Sequence, residues 1–421
     1  MRLLVRLSLS LLLALCLFAQ SDSSTVTGIV KDPSGAAVGN AKVTIKNEST
    51  GFVREVNTND SGLYSAPNLP PGYYTVTVEL SGFKKFEKTR NKMDAGIPLT
   101  VNADLTVGNI AESVTVEASV ATLNTETAAV GKTVEQQQIQ NLALNGRNPL
   151  FLAMLKPGVR RGSPMTGFSF GLDSGGFTIN GGRSQDSLIT FDGAVGVRTR
   201  ANGTSVGTAD ADTVQEVQVL TANYAAEYGR SGGGQIRIVT RSGGKDFHGS
   251  LYEYFRNDKL DANAWGRNVI GQGRTPVRFN QFGFNVSGPV MIPGKFNRNR
   301  EKLFFLFAQE YVRRRFTDTS TQRVPTTLMR QGNFSELSGV NIFYSAPRTI
   351  NDPTTNTPFP GNIIPASRLS PNGIAFLRTY PQPNGSFGNA NFFQQRGGFQ
   401  NQRKDTISVD YNPTSTQVVR F

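Results

Sequence analysis

Within the segment 278–288, RFNQFGFNVSG, apolar and polar or small side chains alternate from residue 281 to residue 287, and this alternation constrains the fold more than any other feature of the chain. One face carries the apolar residues Phe282, Phe284 and Val286. The other carries polar or small ones: Gln281, Gly283, Asn285 and Ser287. A period of two predicts a β-strand. The pattern fits a strand of an outer-membrane barrel, which crosses the bilayer in about 9–11 residues, and it also fits a soluble β-sandwich.

Two later segments extend this pattern. EKLFFLFAQEYV at 301–312 continues it less cleanly. DTISVDY at 405–411 resumes it, with Ile407, Val409 and Tyr411 opposite Thr406, Ser408 and Asp410. Beyond residue 19 the sequence has no apolar run of the roughly 20 residues that a spanning helix needs. We therefore expect any membrane-embedded form to be a closed barrel.

The composition argues against an enzyme. Cys16 is the only cysteine and His248 the only histidine, so a thiolate metal site or a catalytic constellation built on imidazole has too few residues. We predict no catalytic residue, no cofactor and no bound metal. The net charge of +13 comes from scattered basic residues, without a recognition helix or an RNA-binding motif, so we expect no nucleic acid partner.

The first residues have the form of a secretory signal peptide. Arg2 and Arg6 precede the apolar run LSLSLLLALCLFA, and we expect cleavage after Ala19. Lipidation at Cys16 is the alternative, but that signal requires a small residue where Leu15 stands. The segment 1–19 therefore predicts export.

Short strands separated by turn sequences fill residues 24–107. Asp32-Pro33-Ser34-Gly35 and Asn59-Asp60-Ser61-Gly62 are turn patterns, and YYTVTVEL follows a Pro-Pro-Gly turn. The segment predicts an independent β-sandwich of about 80 residues.

Residues 120–245 have a mixed pattern. Thr133 and Gln136 form a capping-box pair, which predicts a helix with one face made of Val134, Ile139 and Leu142. Asn148-Pro149 predicts a second short helix, which Pro157-Gly158 ends. Four β-rich segments follow: GGFTINGG, SLITFDG, VQEVQVLT and GQIRIVTR. We predict a compact α+β domain.

Glycines flank the last of these strands in EYGRSGGGQIRIVTRSGG, residues 227–244. A phosphate-binding loop needs Lys and then Ser or Thr after its last glycine, but Gln235 and Ile236 follow Gly234. The glycines are better explained as joints on both sides of a strand.

Several blocks carry a family resemblance. GIVKDPSGAAVGNAKVTIKN and TNDSGLYSAPNLPPGYYTVTVELSGF resemble the carboxypeptidase regulatory-like domain, a transthyretin-like sandwich. Further blocks include LALNGRNPLFLAMLKPGV, FTINGGRSQDSLITFDG and FGFNVSGPVMIPG. In this order they resemble the TonB-dependent receptors, especially their Oar-like branch. The implied fold class is β-rich and multidomain: a transthyretin-like β-sandwich, an α+β plug domain and the first strands of a transmembrane β-barrel.

The resemblance implies a domain order, with these bounds: signal peptide 1–19, sandwich 24–107, linker 108–119, plug domain 120–245 and barrel 246–421, with a long extracellular loop at about 317–400. The smallest barrels need ~8 strands. We therefore expect this chain to be the N-terminal part of a longer receptor, either a fragment or a truncated product.

The resemblance also implies a function without covalent chemistry. Such a receptor passes a bulky substrate, a siderophore, an oligosaccharide or a peptide, through the outer membrane. Its partners are outer-membrane lipid and the inner-membrane TonB energy-coupling protein, and its sandwich lies in the periplasm. The alternative is a secreted or surface-associated adhesion protein that binds glycans, with Tyr73 and Tyr74 stacking on sugars; both tyrosines also fit a packed core.

Two sets of site residues follow. ESVTVEA resembles the TonB box, so the candidates for TonB contact are Glu112, Ser113, Val114, Thr115 and Val116; the last strand of the sandwich fits them equally well. The candidates for plug–barrel contact are Arg147, Arg183, Asp192, Glu227 and Arg230, for which a solvated surface position is the alternative.

Overall fold

The computed structural model describes residues 23–117, 127–142, 144–161, 176–198, 203–225, 228–269, 271, 273–414 and 416–421. It has two compact units. The first runs up to Glu253 and also includes Phe282–Tyr311 and Gln402–Phe421; the second comprises Tyr254–Gln281 and Val312–Asn401. No helix in the described ranges is long and apolar enough to cross a membrane. The predicted signal peptide and Glu227 lie outside these ranges.

The N-terminal domain is a sandwich of two sheets. Its strands are β1 Ser24–Lys31, β2 Lys42–Asn47, β3 Val53–Asn57, β4 Leu63–Leu69, β5 Gly72–Glu79, β6 Lys85–Met93, β7 Leu99–Thr100, β8 Ala103–Asp104 and β9 Ser113–Glu117. One sheet has the order β4-β1-β7, with β8 also on β1, and the other has the order β3-β2-β5-β6-β9.

The predicted turns and alternation produce this sandwich. The Asp32 carboxylate accepts the Ser34 N–H at 2.9 Å, so the side chain itself closes the first turn. Alternate residues of β5 point inward, and Tyr74 is fully buried in the core while Tyr73 is 43% exposed. The Tyr74 hydroxyl donates to the Pro70 carbonyl at 2.6 Å. Tyr74 therefore packs in the core and is not available to stack on a sugar.

The predicted linker at 108–119 contains a strand of the sandwich. Ser113–Glu117 forms β9, which pairs in parallel with β6, and Val114 lies opposite Phe86. β9 is an edge strand, and its residues are exposed. Pairing with β6 satisfies backbone groups that a linker would leave to water. The sheet therefore extends further along the chain than the sequence pattern predicted.

The central domain contains the four predicted strands and further short ones. They are β10 Val130–Glu135, β11 Val159–Arg161, β12 Phe177–Ile179, β13 Ser187–Phe191, β14 Ala194–Val195, β15 Val197–Arg198, β16 Thr204–Ser205, β17 Val214–Ala222 and β18 Gly234–Thr240. The main sheet has the order β10-β17-β18-β13-β14. β13 and β18 are parallel and the other neighbours are antiparallel. Apolar residues of β17 and β18 form the centre of its core.

The helix prediction for this domain was partly wrong. Thr133 and Val134 lie in β10, where they pair with β17, so helix α1 is confined to Gln136–Asn141 and has no side-chain cap. Leu142 is exposed, whereas Ile139 is buried. The second helix is present as a 3-10 helix, Pro149–Leu155, with the Asn148 side chain accepting the Leu150 N–H. Other 3-10 turns are Asn145–Arg147, Ser184–Asp186 and Ala211–Thr213.

The C-terminal sheet consists of long strands in sequential order, β19-β20-β21-β22-β23. They are β19 His248–Asn257, β20 Val277–Pro289, β21 Leu303–Gln322, β22 Phe392–Thr414 and β23 Gln417–Arg420. β21 and β22 extend into the predicted loop at 317–400. The chain between them and after β19 forms helices α2 Trp265–Val269 and α3 Pro371–Arg378 and the 3-10 turns Met329–Gln331, Ser335–Ser338, Pro360–Asn362 and Ala366–Arg368.

Candidate functional site

Gly243 marks where the central domain meets the C-terminal sheet. A Cβ at this position would lie 2.6 Å from the Phe305 carbonyl oxygen and 3.0 Å from the Gly288 carbonyl oxygen, so only glycine lets the backbones approach this closely. At the other end of β18, a Cβ on Gly234 would lie 2.7 Å from the Leu220 carbonyl oxygen. These two glycines explain the joints around the strand: both allow tight backbone packing.

The buried face of the C-terminal sheet is mostly polar on β20 and β22 and mixed on β21, where Phe304 and Leu306 lie on the same face as Glu310. Asn285, Ser287, Glu310, Ser408 and Asp410 are buried, and the alternation predicted for β20 and β22 is confirmed. The opposite face carries aromatic pairs between the strands: Phe282 with Tyr311, Phe284 with Phe307, and Phe247 with Phe305. This inside-out arrangement is typical of a barrel strand, with an apolar face for lipid and a polar face for the lumen.

Charged side chains connect the central domain to this polar face. We call Arg147, Asp210, Asp212, Tyr252, Glu310 and Lys404 the anchor cluster. The Arg147 guanidinium donates to Asp212 at 2.7 Å, is 3.8 Å from Asp210, and lies 4.5 Å from the centre of the Tyr252 ring. Arg147 therefore binds two carboxyl groups of its own domain and an aromatic ring of β19.

The Tyr252 hydroxyl lies between two carboxyl groups of the cluster. It lies 2.9 Å from an Asp210 oxygen and 3.0 Å from a Glu310 oxygen. Lys404 donates to the other Glu310 oxygen at 2.6 Å. Burial and the nearby Glu310 charge raise the pKa of Asp210 to about 6.

A second contact joins the end of β18 to β23. Arg420 donates to the Thr240 hydroxyl at 2.8 Å and to the carbonyls of Thr240 and Arg241. The Asp192 carboxylate accepts both the N–H and the hydroxyl of Thr240 at 2.7 Å. Asp192 thus positions the threonine that Arg420 binds, but does not itself reach the C-terminal sheet.

The structure places the predicted contact residues differently. Arg147 is at the interface and Asp192 is one residue away from it, whereas Arg183 and Arg230 have exposed side chains outside the cluster. Sequence reasoning did not identify Asp210, Asp212, Tyr252, Glu310, Lys404 or Arg420. The period of two contained a signal: Glu310 shares its face with Phe304 and Leu306, and Lys404 shares its face with Ser408.

The residues predicted to contact TonB all lie on the sandwich. Ser113, Val114, Thr115 and Val116 belong to edge strand β9, and Glu112 directly precedes it. The Lys85 N–H donates to the Glu112 carbonyl at 2.9 Å, and the Lys84 ammonium lies 2.6 Å from the Glu112 carboxylate. The segment thus has one side bound to β6 and one side open.

Family models match the chain in three consecutive regions. A carboxypeptidase regulatory-like domain matches residues 25–106, a TonB-dependent receptor plug domain 123–235, and an outer membrane beta barrel domain 239–421. These are the domains of a TonB-dependent receptor, and they follow one another along the chain. The central domain is accordingly called the plug below.

A curated relative aligns with most of the chain. The chain is 28% identical to the TonB-dependent transporter Oar of Myxococcus xanthus over 317 residues, which is 72% of this chain and 28% of the relative. The chain is thus similar to Oar. Since the chain spans only 28% of that relative's length, the activity of the whole protein is a proposal for this chain.

Solved structures with similarity to the chain include two siderophore receptors. The siderophore receptor PirA from Acinetobacter baumannii has a TM-score of 0.31 and 18% identity, covering 45% of this chain and 28% of that one. The ferric enterobactin receptor PfeA from Pseudomonas aeruginosa, a mutant in complex with enterobactin, also has a TM-score of 0.31 and 18% identity, covering 52% and 29% of the two chains.

Replacing Arg147 should weaken the plug. Arg147→Gln leaves Asp212 without its cation in a largely buried site, and breaking such a pair costs about 3 kcal/mol. We expect the free energy of unfolding to fall by this amount when the detergent-solubilised chain is unfolded in urea. Hydrogen exchange of β17 and β18 monitors the unfolding of the plug. Arg183→Gln, at an exposed position, is the control and should change stability by less than about 0.5 kcal/mol. Equal effects of the two substitutions would contradict the role of the anchor cluster.

The plug should also lose stability as the pH rises. Asp210 has a raised pKa in the folded state, so its contribution is complete below its ordinary pKa of 3.8 and is lost as the pH rises through about 6. The groups facing it are Arg147, Asp212, Tyr252 and Glu310 with Lys404. In Asp210→Asn, whose amide can donate to Tyr252 at any pH, this part of the pH dependence should disappear from unfolding titrations between pH 4 and 7. An unchanged pH profile would contradict the raised pKa of Asp210.

Proposed function

We propose that this chain forms the periplasmic sandwich, the plug and part of the barrel of a TonB-dependent transporter in the outer membrane. The observation that carries the proposal is the polar face of the C-terminal sheet, which binds the plug through the anchor cluster while aromatic pairs cover the other face. A polar lumen occupied by a removable domain suits gated passage of a bulky substrate.

Transport by such a chain involves no covalent step. Substrate binds on the extracellular side, and the inner-membrane TonB protein pulls a periplasmic segment to displace part of the plug. Displacement must break the contact of Tyr252 with Asp210 and that of Arg420 with Thr240. Because these contacts are polar, the separated groups can be hydrated as water enters the lumen, which lowers the cost of opening compared with an apolar seam.

The substrate we propose is a siderophore, an oligosaccharide or a peptide. PirA is named as a siderophore receptor, PfeA as the ferric enterobactin receptor, and the Myxococcus xanthus relative as a transporter. The fully buried Tyr74 removes one of the two aromatics on which the alternative, a glycan-binding adhesion protein, depended.

The proposed TonB contact is the open side of β9. The bond from the Lys85 N–H to the Glu112 carbonyl fixes the pattern of the parallel pair, in which alternate residues face the partner strand. Val114 and Val116 therefore direct their backbone groups to β6, and Ser113 and Thr115 direct theirs outward. An extended TonB segment can add to these outward groups as a further strand.

This geometry allows a test that separates recognition from folding. Thr115→Pro removes an outward N–H and leaves the bonds of β9 to β6 intact. We expect the affinity of the purified chain for the periplasmic domain of TonB to fall at least about tenfold, the loss expected for about 1.4 kcal/mol of backbone hydrogen bonding. Isothermal titration calorimetry measures it.

The matched control lies at the opposite edge of the same sheet. Glu55 in β3 lies opposite Thr44. In an antiparallel pair of strands, residue pairs with and without mutual hydrogen bonds alternate. Asn47 and Phe52 form a hydrogen-bonded pair, since the Asn47 N–H donates to the Phe52 carbonyl, so Thr44 and Glu55, three positions along, are a pair without mutual hydrogen bonds. Glu55→Pro thus removes an outward N–H from an edge that we do not assign to TonB, and binding should be unchanged. Loss of binding in both variants, or in neither, would contradict the assignment of β9.

A further inference from the structure

Several contacts join the sandwich to the rest of the chain, among them a hydrogen bond from the Lys245 N–H to the Ser49 carbonyl, and one of them is a short loop that is buried against the plug. β6 ends at Met93, and the next residues, Asp94–Gly96, contact strands β17 and β18 of the plug. The Glu216 carboxylate accepts the Ala95 N–H at 2.9 Å. Gln218 and Arg237 donate to the Ala95 carbonyl at 2.9 and 3.1 Å. Side chains of the plug thus satisfy both backbone groups of Ala95.

These side chains form a connected network, which we call the socket: Glu216, Gln218, Arg237 and Tyr228. Gln218 also donates to Glu216 at 2.8 Å and accepts from Arg237 at 2.7 Å. Ala95 and Gln218 are fully buried, and Glu216 and Arg237 are 2% and 5% exposed. Removing any partner would leave a buried polar group unsatisfied, so the network holds the loop in one position.

The socket also selects the shape of the loop. Gly96 has φ +65, and a Cβ there would lie 2.1 Å from the Tyr228 hydroxyl and 3.0 Å from Arg237.

Beside the socket, the Lys92 ammonium lies 2.7 Å from both the Asp94 and the Glu135 carboxylates, so an ion pair joins the sandwich to the end of β10. Burial and the nearby Asp94 charge raise the pKa of Glu216 to about 8, which makes its amide analogue a conservative replacement.

We infer that the socket makes the sandwich a coupling element of the plug, so that a load on the sandwich reaches β17 and β18. The path is short: β9 pairs with β6 along five residues, and β6 leads directly into the loop that the socket holds. The load can thus pass through the non-covalent contacts of the socket into the centre of the plug sheet. It can also pass along the covalent connection from β9 to β10. The use of this coupling in transport rests on the proposed TonB contact at β9; the coupling itself does not.

Hydrogen exchange of the full chain tests the coupling from both sides. Gly96→Leu changes only the sandwich, but should increase exchange in β17 of the plug at least about tenfold, because the larger side chain expels the loop from the socket. Gly82→Leu is the matched control. Gly82 also has a positive φ (+90), but a Cβ there would meet no atom of the described residues within 4 Å. This control should leave exchange in the plug unchanged.

The reciprocal variant changes only the plug. Gln218→Leu should increase exchange in β6 of the sandwich, and Glu216→Gln, which can still accept the Ala95 N–H, should leave β6 exchange as in the unchanged chain. If neither Gly96→Leu nor Gln218→Leu affects the other domain, the sandwich is a spacer and the inference is wrong. The exchange experiment does not involve TonB, so failure of the TonB contact at β9 would appear in the calorimetry and not in this exchange.

Discussion

A polar surface that faces inward must find polar partners, and the rest of this structure depends on that requirement. β20 and β22 direct apolar side chains to one side and groups such as Asn285 and Asp410 to the other, while β21 places Glu310 beside buried Phe304 and Leu306. Leaving these polar groups buried and unpaired would cost several kcal/mol. The sheet supplies their partners itself: Lys404 for Glu310, Arg420 for Asp410 and Ser250 for Asn285. The plug joins this polar surface through Asp210, which contacts Tyr252, and through Thr240, which Arg420 binds.

The anchor cluster and the socket serve different purposes although both consist of buried charges. In the anchor cluster the Tyr252 hydroxyl lies between Asp210 and Glu310, and the contribution of Asp210 depends on pH because burial raises its pKa to about 6. In the socket the pKa of Glu216 is raised to about 8, and the groups that the socket holds are the backbone groups of Ala95, which tie the plug to the sandwich. A pulling mechanism requires that the plug separates from the C-terminal sheet while it stays attached to the sandwich.

Local patterns predicted the elements better than the contacts between them. The period of two predicted β20 and β22 with the correct faces, and turn residues such as Asp32 predicted the sandwich, because these signals involve neighbouring residues. Thr133 lies in a strand and not in the predicted helix, because pairing of β10 with β17, over 80 positions along the chain, outweighs a local capping signal. Partners such as Arg147 and Asp212, 65 residues apart, or Lys404 and Glu310, 94 apart, leave no local trace. Val114 and Val116 likewise could not decide between a TonB-box segment and the last strand of the sandwich. A parallel strand such as β9 pairs with a strand that is distant in sequence, so the local pattern does not reveal the pairing.

The central claim is that a pull on the sandwich side moves the plug while the C-terminal sheet stays in place. Force spectroscopy tests it most directly, with a tip that carries the periplasmic domain of TonB and pulls on the receptor in outer-membrane vesicles. We expect stepwise lengthening of tens of nanometres before the contact breaks, since about 100 unravelled residues extend by up to ~35 nm. Rupture of the TonB contact without any lengthening would contradict a plug that is coupled through β9 and the sandwich.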